Sequence, residues 1–311
     1  MPSSTSNSKE LTPKPSQGRP IIVALVLFAL LLVGLETATR FGFRRISRIE
    51  ARIYNDHAAA VAVSQGGPTH PTILLLGNSL LLEGIDYAAL RQSMMHRATP
   101  VRFVVDNTSY LDWYYGLRRL FAEGARPDRV VVCLSISQLL ATSLRGEYSA
   151  FYLIDSKDLT FAGREAGFDL TGISGLYFAH YSMFYAGRNG LRNFALNKVQ
   201  PAYASVMHGF SVVPGRSYSD AEVVAMAVPR LTQLQALCSR YHAQFDLLLP
   251  PGFDSGSQGL IEAGKRSSVS VLVPVPQNSW PPDLYRDHFH LNREGAVRFT
   301  MLLATELSRE R

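Results

Sequence analysis

Two short stretches of this chain bring together residue types that can do chemistry. The first is Gly77-Asn78-Ser79-Leu80, directly after an apolar run ending in Leu75-Leu76. A serine at the carboxyl end of a strand, behind a glycine that permits a tight turn, can expose its hydroxyl at the sheet edge and set its own N–H near a helix start. That geometry suits a nucleophile, and it suits a helix N-cap equally well. The second stretch is Tyr285-Arg286-Asp287-His288-Phe289-His290-Leu291-Asn292, immediately before a helical pattern. An aspartate three residues ahead of a histidine can fold back in one turn, accept the Nδ1 hydrogen and leave Nε2 as a general base. On that reading Ser79 attacks, His290 takes its proton and Asp287 orients the ring. Two other readings stay open. His288, His290 and Asp287 are metal-ligand types, although no further His/Asp/Glu cluster of ligand spacing completes such a site. Alternatively, Asn292 caps the last helix and the histidines are surface residues.

The elements that must position these residues alternate along the chain after the Gly66-Gly67-Pro68 break. Runs at 71–76, 101–106, 129–134, 244–249 and 268–273 are short, strongly apolar and bounded by Gly, Pro or Asp, as suits strands buried on both faces. Between and after them, 87–95, 112–122, 220–242 and 293–308 carry helical periodicity. Such alternation implies an α/β fold with a largely parallel sheet flanked by helices. Ligands then bind outside the carboxyl ends of the strands, where Ser79 lies. The interval 139–219 interrupts the rhythm. Its many aromatics, Tyr148, Phe151, Tyr152, Tyr177, Phe178, Tyr181, Phe184 and Tyr185 among them, suit either a glycan- or lipid-binding lid or the core of a subdomain.

Length and composition limit the function classes. With 311 residues, 47% hydrophobic and 18% charged, the chain is large enough for one catalytic-sized domain plus an appendage and is not wholly disordered. Cys133 and Cys238 cannot form a disulfide framework, lack zinc-site spacing and read as buried thiols. The net charge of +6 is concentrated around one apolar segment, which points away from nucleic acid and towards a membrane. Residues 1–18 read as a disordered tail. Residues 19–40 read as an uncleaved transmembrane helix, since the apolar side chains between Arg19 and Glu36 outweigh one glutamate near the interface. Residues 41–68 read as a juxtamembrane linker, either a basic amphipathic helix on the membrane or a solvated helix leading into the domain at 69–311. Arg40, Arg44, Arg45, Arg48 and Arg52 outnumber Lys9, Lys14 and Arg19, which by the positive-inside count keeps the domain cytoplasmic.

Taken together, Gly77-Asn78-Ser79 after the first strand and Asp287-x-x-His290-Leu291 before the last helix resemble the SGNH/GDSL hydrolase superfamily. The resemblance covers 71 to the C-terminus, with 139–219 as an insertion. It implies a three-layer α/β/α fold around a mostly parallel sheet of about five strands, attack on acyl esters, and no cofactor. Ser79 would be nucleophile and oxyanion donor, His290 the base and Asp287 its partner. A glycine after the second strand and an asparagine after the third complete the oxyanion hole in many such proteins. Here the second strand runs on as Asp106-Asn107-Thr108-Ser109, with no glycine before Gly116, and Leu134-Ser135-Ile136-Ser137-Gln138 follows the third. The oxyanion candidates are thus Ser79, Ser109, Ser137 and Gln138, and losing one donor typically costs about 2.7–4 kcal/mol. A membrane-tethered domain of this kind also resembles proteins of bacterial envelope polysaccharide O-acetylation. That resemblance implies a single-pass inner-membrane protein with a periplasmic or extracytoplasmic domain, against the charge count. Its partners would be an acylated glycan and a membrane-embedded acyltransferase. The same sheet edge could instead serve a catalytically silent scaffold.

Overall fold

A computed structural model describes residues 18–200, 217–287 and 289–309. Most of the expected tail, part of the expected insertion at 201–216, and His288 lie outside the described residues.

Five strands form one parallel sheet in the order β2-β1-β3-β4-β5: β1 Thr72–Gly77, β2 Thr99–Val104, β3 Arg129–Cys133, β4 Gln244–Leu248 and β5 Ser270–Leu272. Successive side chains alternate between faces, and both faces are covered, so every residue of the central strand β3 is buried. Leu74, Leu76, Val130, Val132 and Leu247 join one core; Ile73, Leu75, Val131, Cys133 and Leu248 join the other. Strand β2 begins two residues earlier than its apolar run suggests and passes through Pro100, which an edge strand tolerates because its outer side has no ladder to supply. Strand β5 is shorter than expected, since Ser268 adopts a left-handed turn (φ 54°) before it.

Helices cover the sheet on both sides. Helix α1 (Gly18–Thr37) precedes the domain and α2 (Arg48–Val61) packs against β2. On one face α3 (Ser79–Gly84) and α4 (Tyr87–Met94) supply Leu81, Leu90 and Met94 to the core. Helix α5 (Tyr110–Glu123), on the other face, supplies Trp113 and Phe121. After β3 the chain forms α6 (Ile136–Leu140), α7 (Glu147–Tyr152), α8 (Leu159–Glu165), α9 (Leu170–Tyr181) and α10 (Met183–Val199). Helices α11 (Asp220–Arg240) and α12 (Ser257–Arg266) pack together, with Leu231, Leu234 and Leu260 in the core shared with α5. The last helix, α13 (Arg293–Leu307), lays Phe299 and Leu303 beside α3 and α4. The molecule is thus an α/β protein of three layers. Cys133 and Cys238 are free, buried thiols, and burial pushes both well above the ordinary thiol range.

Among the described residues, one helix is long and apolar enough to cross a membrane: Pro20–Ile46, 27 residues that include a π-helical segment at Ala38–Phe43. The helix that follows is part of the domain's packing. Ile53 and Ala60 of α2 are fully buried, and Glu50, also buried, accepts hydrogen bonds from Tyr148 and Tyr152 of α7 at 2.8 and 2.7 Å.

Candidate active site

Ser79 stands where β1 gives way to α3. Asn78 is the N-cap: its side-chain oxygen accepts from Leu80 N–H at 3.0 Å, while its amide donates to the Thr108 carbonyl at 2.9 Å. One buried side chain therefore fixes the helix start and ties it to the loop after β2. Ser79 occupies the first helical position, whose N–H has no acceptor within the helix. The glycine ahead of it is needed for a different reason from the turn geometry expected. A Cβ on Gly77 would lie 3.0 Å from both the Cys133 carbonyl oxygen and Leu81 Cβ, so its absence lets strand, neighbouring strand and helix close together.

Asp287 and His290 lie on a tight loop between a 3₁₀ turn (Pro282–Leu284) and α13. Arg286 N–H donates to the His290 carbonyl at 2.8 Å, and Tyr285 and Leu291 form an antiparallel bridge that closes the loop at its base. Inside it, Asp287 Oδ1 accepts from the His290 backbone N–H at 2.8 Å, and the carboxylate oxygens stand 3.0 and 3.1 Å from His290 Nδ1. His290 Nε2 is 2.9 Å from Ser79 Oγ. Since a carboxylate only accepts, Nδ1 carries the hydrogen and Nε2 accepts a hydrogen bond from the Ser79 hydroxyl, the tautomer being assigned from this network. Burial pushes the Asp287 carboxyl up, but the hydrogen bonds from His290 and Arg286 outweigh it and hold the group well below the usual carboxylate range. Asn292 caps α13 by accepting from Gly295 N–H at 3.0 Å, so the capping role of Asn292 and the serine contact of His290 coexist.

The oxyanion candidates separate. Ser109 caps α5: its N–H donates to Asp112 at 2.8 Å and its hydroxyl reaches the Ser143 carbonyl at 2.6 Å. Gln138 turns its side-chain oxygen back to Ser135 N–H at 3.0 Å in a capping box at the start of α6. Ser137 lines a cavity of about 260 Å³ beside the serine, with Leu80, Ser135, Pro250, Asp254 and Phe289 among its walls. Its hydroxyl lies 3.0 Å from that of Ser135. Of the oxyanion candidates, Ser137 lines this cavity, and Ser79 adjoins it through its neighbour Leu80.

Three contributors were not singled out from sequence. Asn78 has the double role just described. Arg286 bridges Glu83 of α3, at 2.6 Å, to Asp287, at 3.1 Å, and so clamps the histidine loop onto the serine's helix. The usable signal was Glu83 one helical turn after Ser79, but its partner lies at the other end of the domain. Asp254, in the cavity wall, accepts from Ile136 N–H at 2.8 Å; burial pushes its carboxyl up and this hydrogen bond only partly offsets that.

No family model matches this chain, and no curated protein is significantly similar to it. Among solved structures, the crystal structure of TesA is matched over 76% of this chain and 97% of that one, at 12% identity and a TM-score of 0.37. A likeness of that size bears on neither substrate nor activity.

Proposed function

We propose that this chain is a membrane-anchored, SGNH-type serine acyl-ester enzyme, an esterase or O-acyltransferase whose substrate is an acylated cell-envelope polysaccharide or lipid-linked glycan. The observation that carries the reading is the continuous line Asp287–His290–Ser79, with 3.0 Å at the first contact and 2.9 Å at the second. As His290 Nε2 takes the hydroxyl proton, Ser79 Oγ bonds to the acyl carbonyl carbon, and the charge that develops on the carbonyl oxygen meets Ser79 N–H and the Ser137 hydroxyl. Collapse breaks the ester bond and His290 returns the proton to the departing alcohol. Water or a sugar hydroxyl then gives its proton to His290 and attacks the acyl-serine carbonyl; as the acyl–Oγ bond breaks, His290 passes that proton to Ser79 Oγ and both groups are restored. The two outcomes differ only in which acceptor occupies the cavity. The cavity pairs polar groups from Ser135, Ser137 and Asp254 with apolar walls from Leu80, Phe253 and Phe289, as suits a ligand that carries both an acyl group and hydroxyls.

The proposed location is the inner membrane, with the domain on the extracytoplasmic side, and a membrane-embedded acyltransferase is the proposed acyl donor partner. A second reading, a silent scaffold, draws support from the engagement of Ser109 in its own helix cap. Fluorophosphonate labelling of the folded protein separates them. An adduct on Ser79 that disappears in Ser79→Ala is expected for the enzyme; a folded protein with no adduct assigns the domain to binding.

A further inference from the structure

We infer that α9, Leu170–Tyr181, is a second membrane contact that lies in the headgroup boundary beside the anchor helix, so that the domain is docked on the bilayer rather than suspended from it. The inference rests on reading α1 as a membrane span. Helix α9 contains no Asp, Glu, Lys or Arg. Gly175, Leu176 and Ala179 are buried, yet Leu170, Phe178 and Tyr181 are 81%, 66% and 65% exposed, and Tyr177 shares their side of the helix. A contiguous exposed face of large apolar and tyrosine side chains is unusual on a water-facing helix and suits the interface, where aromatic rings sit at headgroup level.

What fixes the occupant is where this helix is held. Glu36, at the end of the apolar run, accepts from Ser182 Oγ at 2.8 Å and from the backbone N–H groups of Met183 and Phe184 at 2.9 and 3.1 Å, which makes it the anion at the N-terminus of α10. Arg40, one turn on, pairs with Glu36 and donates to the Tyr181 carbonyl at 2.8 Å. The C-terminal end of α9 is thereby bonded to residues 36–40, where the span leaves the hydrocarbon and meets headgroups. Arg45 and Arg48, both exposed, follow at once and attract anionic lipid to the same level. A lipid surface therefore fits this face better than a second protein, because the level of the bilayer edge is already set by covalent continuity.

The test uses the full chain in nanodiscs of zwitterionic phospholipid with a minor anionic fraction. Leu27→Cys, Phe178→Cys and Met301→Cys are each nitroxide-labelled; the native Cys133 and Cys238 are buried and do not compete for the label. Met301 is an exposed residue on α13, on the opposite side of the sheet. The expected ratio of oxygen to nickel-chelate relaxation is several-fold higher at 178 than at 301, and higher still at 27. A water-like 178 with a lipid-like 27 overturns the inference. A label at 178 shielded from both reagents overturns it too, because the face is then covered by protein. A water-like 27 removes the anchor itself and the inference with it, and that failure is distinguishable from the first.

Discussion

The two sides of the candidate site use the same kinds of polar groups in opposite ways. On the serine side, hydrogen bonds converge on one carboxylate: the Ser79 hydroxyl donates to His290 Nε2, and His290 Nδ1–H and Arg286 both donate to Asp287. On the oxyanion side, Ser109 and Gln138 turn inwards and satisfy the starts of their own helices. A helix that begins at a strand's carboxyl end needs acceptors for its first N–H groups, and nearby Ser, Asp and Gln supply them before any ligand does. The difference teaches that residue type and position are insufficient. What matters is whether the group's bonding capacity has already been used.

Substitutions break this contrast with effects that should fall in order. Ser79→Ala should abolish ester turnover and phosphonate labelling, a loss of at least ~10⁴-fold, with the thermal unfolding midpoint little changed. Asp287→Asn should lower kcat by roughly 10³–10⁴, because an amide no longer holds Nδ1–H in place. This variant also carries a pH signature. The folded Asp287 carboxyl lies below its unfolded value, so its stabilisation is present above about pH 4 and is lost as pH falls through the folded value. Urea titrations should therefore show a gap between wild type and Asp287→Asn at neutral pH that narrows in acid.

Smaller effects sharpen the contrast. Ser137→Ala, which removes an oxyanion candidate facing the cavity, should reduce kcat by roughly 10² with KM nearly unchanged. Arg286→Ala should reduce kcat by roughly tenfold, since the histidine loop loses its tie to Glu83, and Arg286→Lys should recover part of that loss. Ser109→Ala should be the mildest in steady-state kinetics, within about twofold of wild type, while chemical denaturation reports about 1 kcal/mol less stability from the lost cap. If Ser109→Ala instead lost as much rate as Ser137→Ala, the two sides of the site would not differ as described.

Much of the sheet could be read in the chain because buried parallel strands are continuous apolar runs, and all five runs coincide with strands to within two residues at every end. Pro100 misled the start of β2, since only edge position makes a proline acceptable there. Residues 48–61 read ambiguously as linker. Their role in packing depends on Ile53 and Ala60 meeting β2 and α5, elements far along the chain.

The sequence by itself determined the alternation of strands and helices and brought Ser79, Asp287 and His290 forward as a group, because periodicity and local motifs are properties of neighbouring residues. It also determined the basic-flanked apolar helix. The tertiary structure alone decided the 2.9 Å approach of His290 to Ser79, the clamp from Glu83 through Arg286, and which oxyanion candidate lines the cavity. Those are contacts between residues distant in the chain, set by how helices close onto the sheet, and hydrogen bonds that depend on such approaches carry no local pattern.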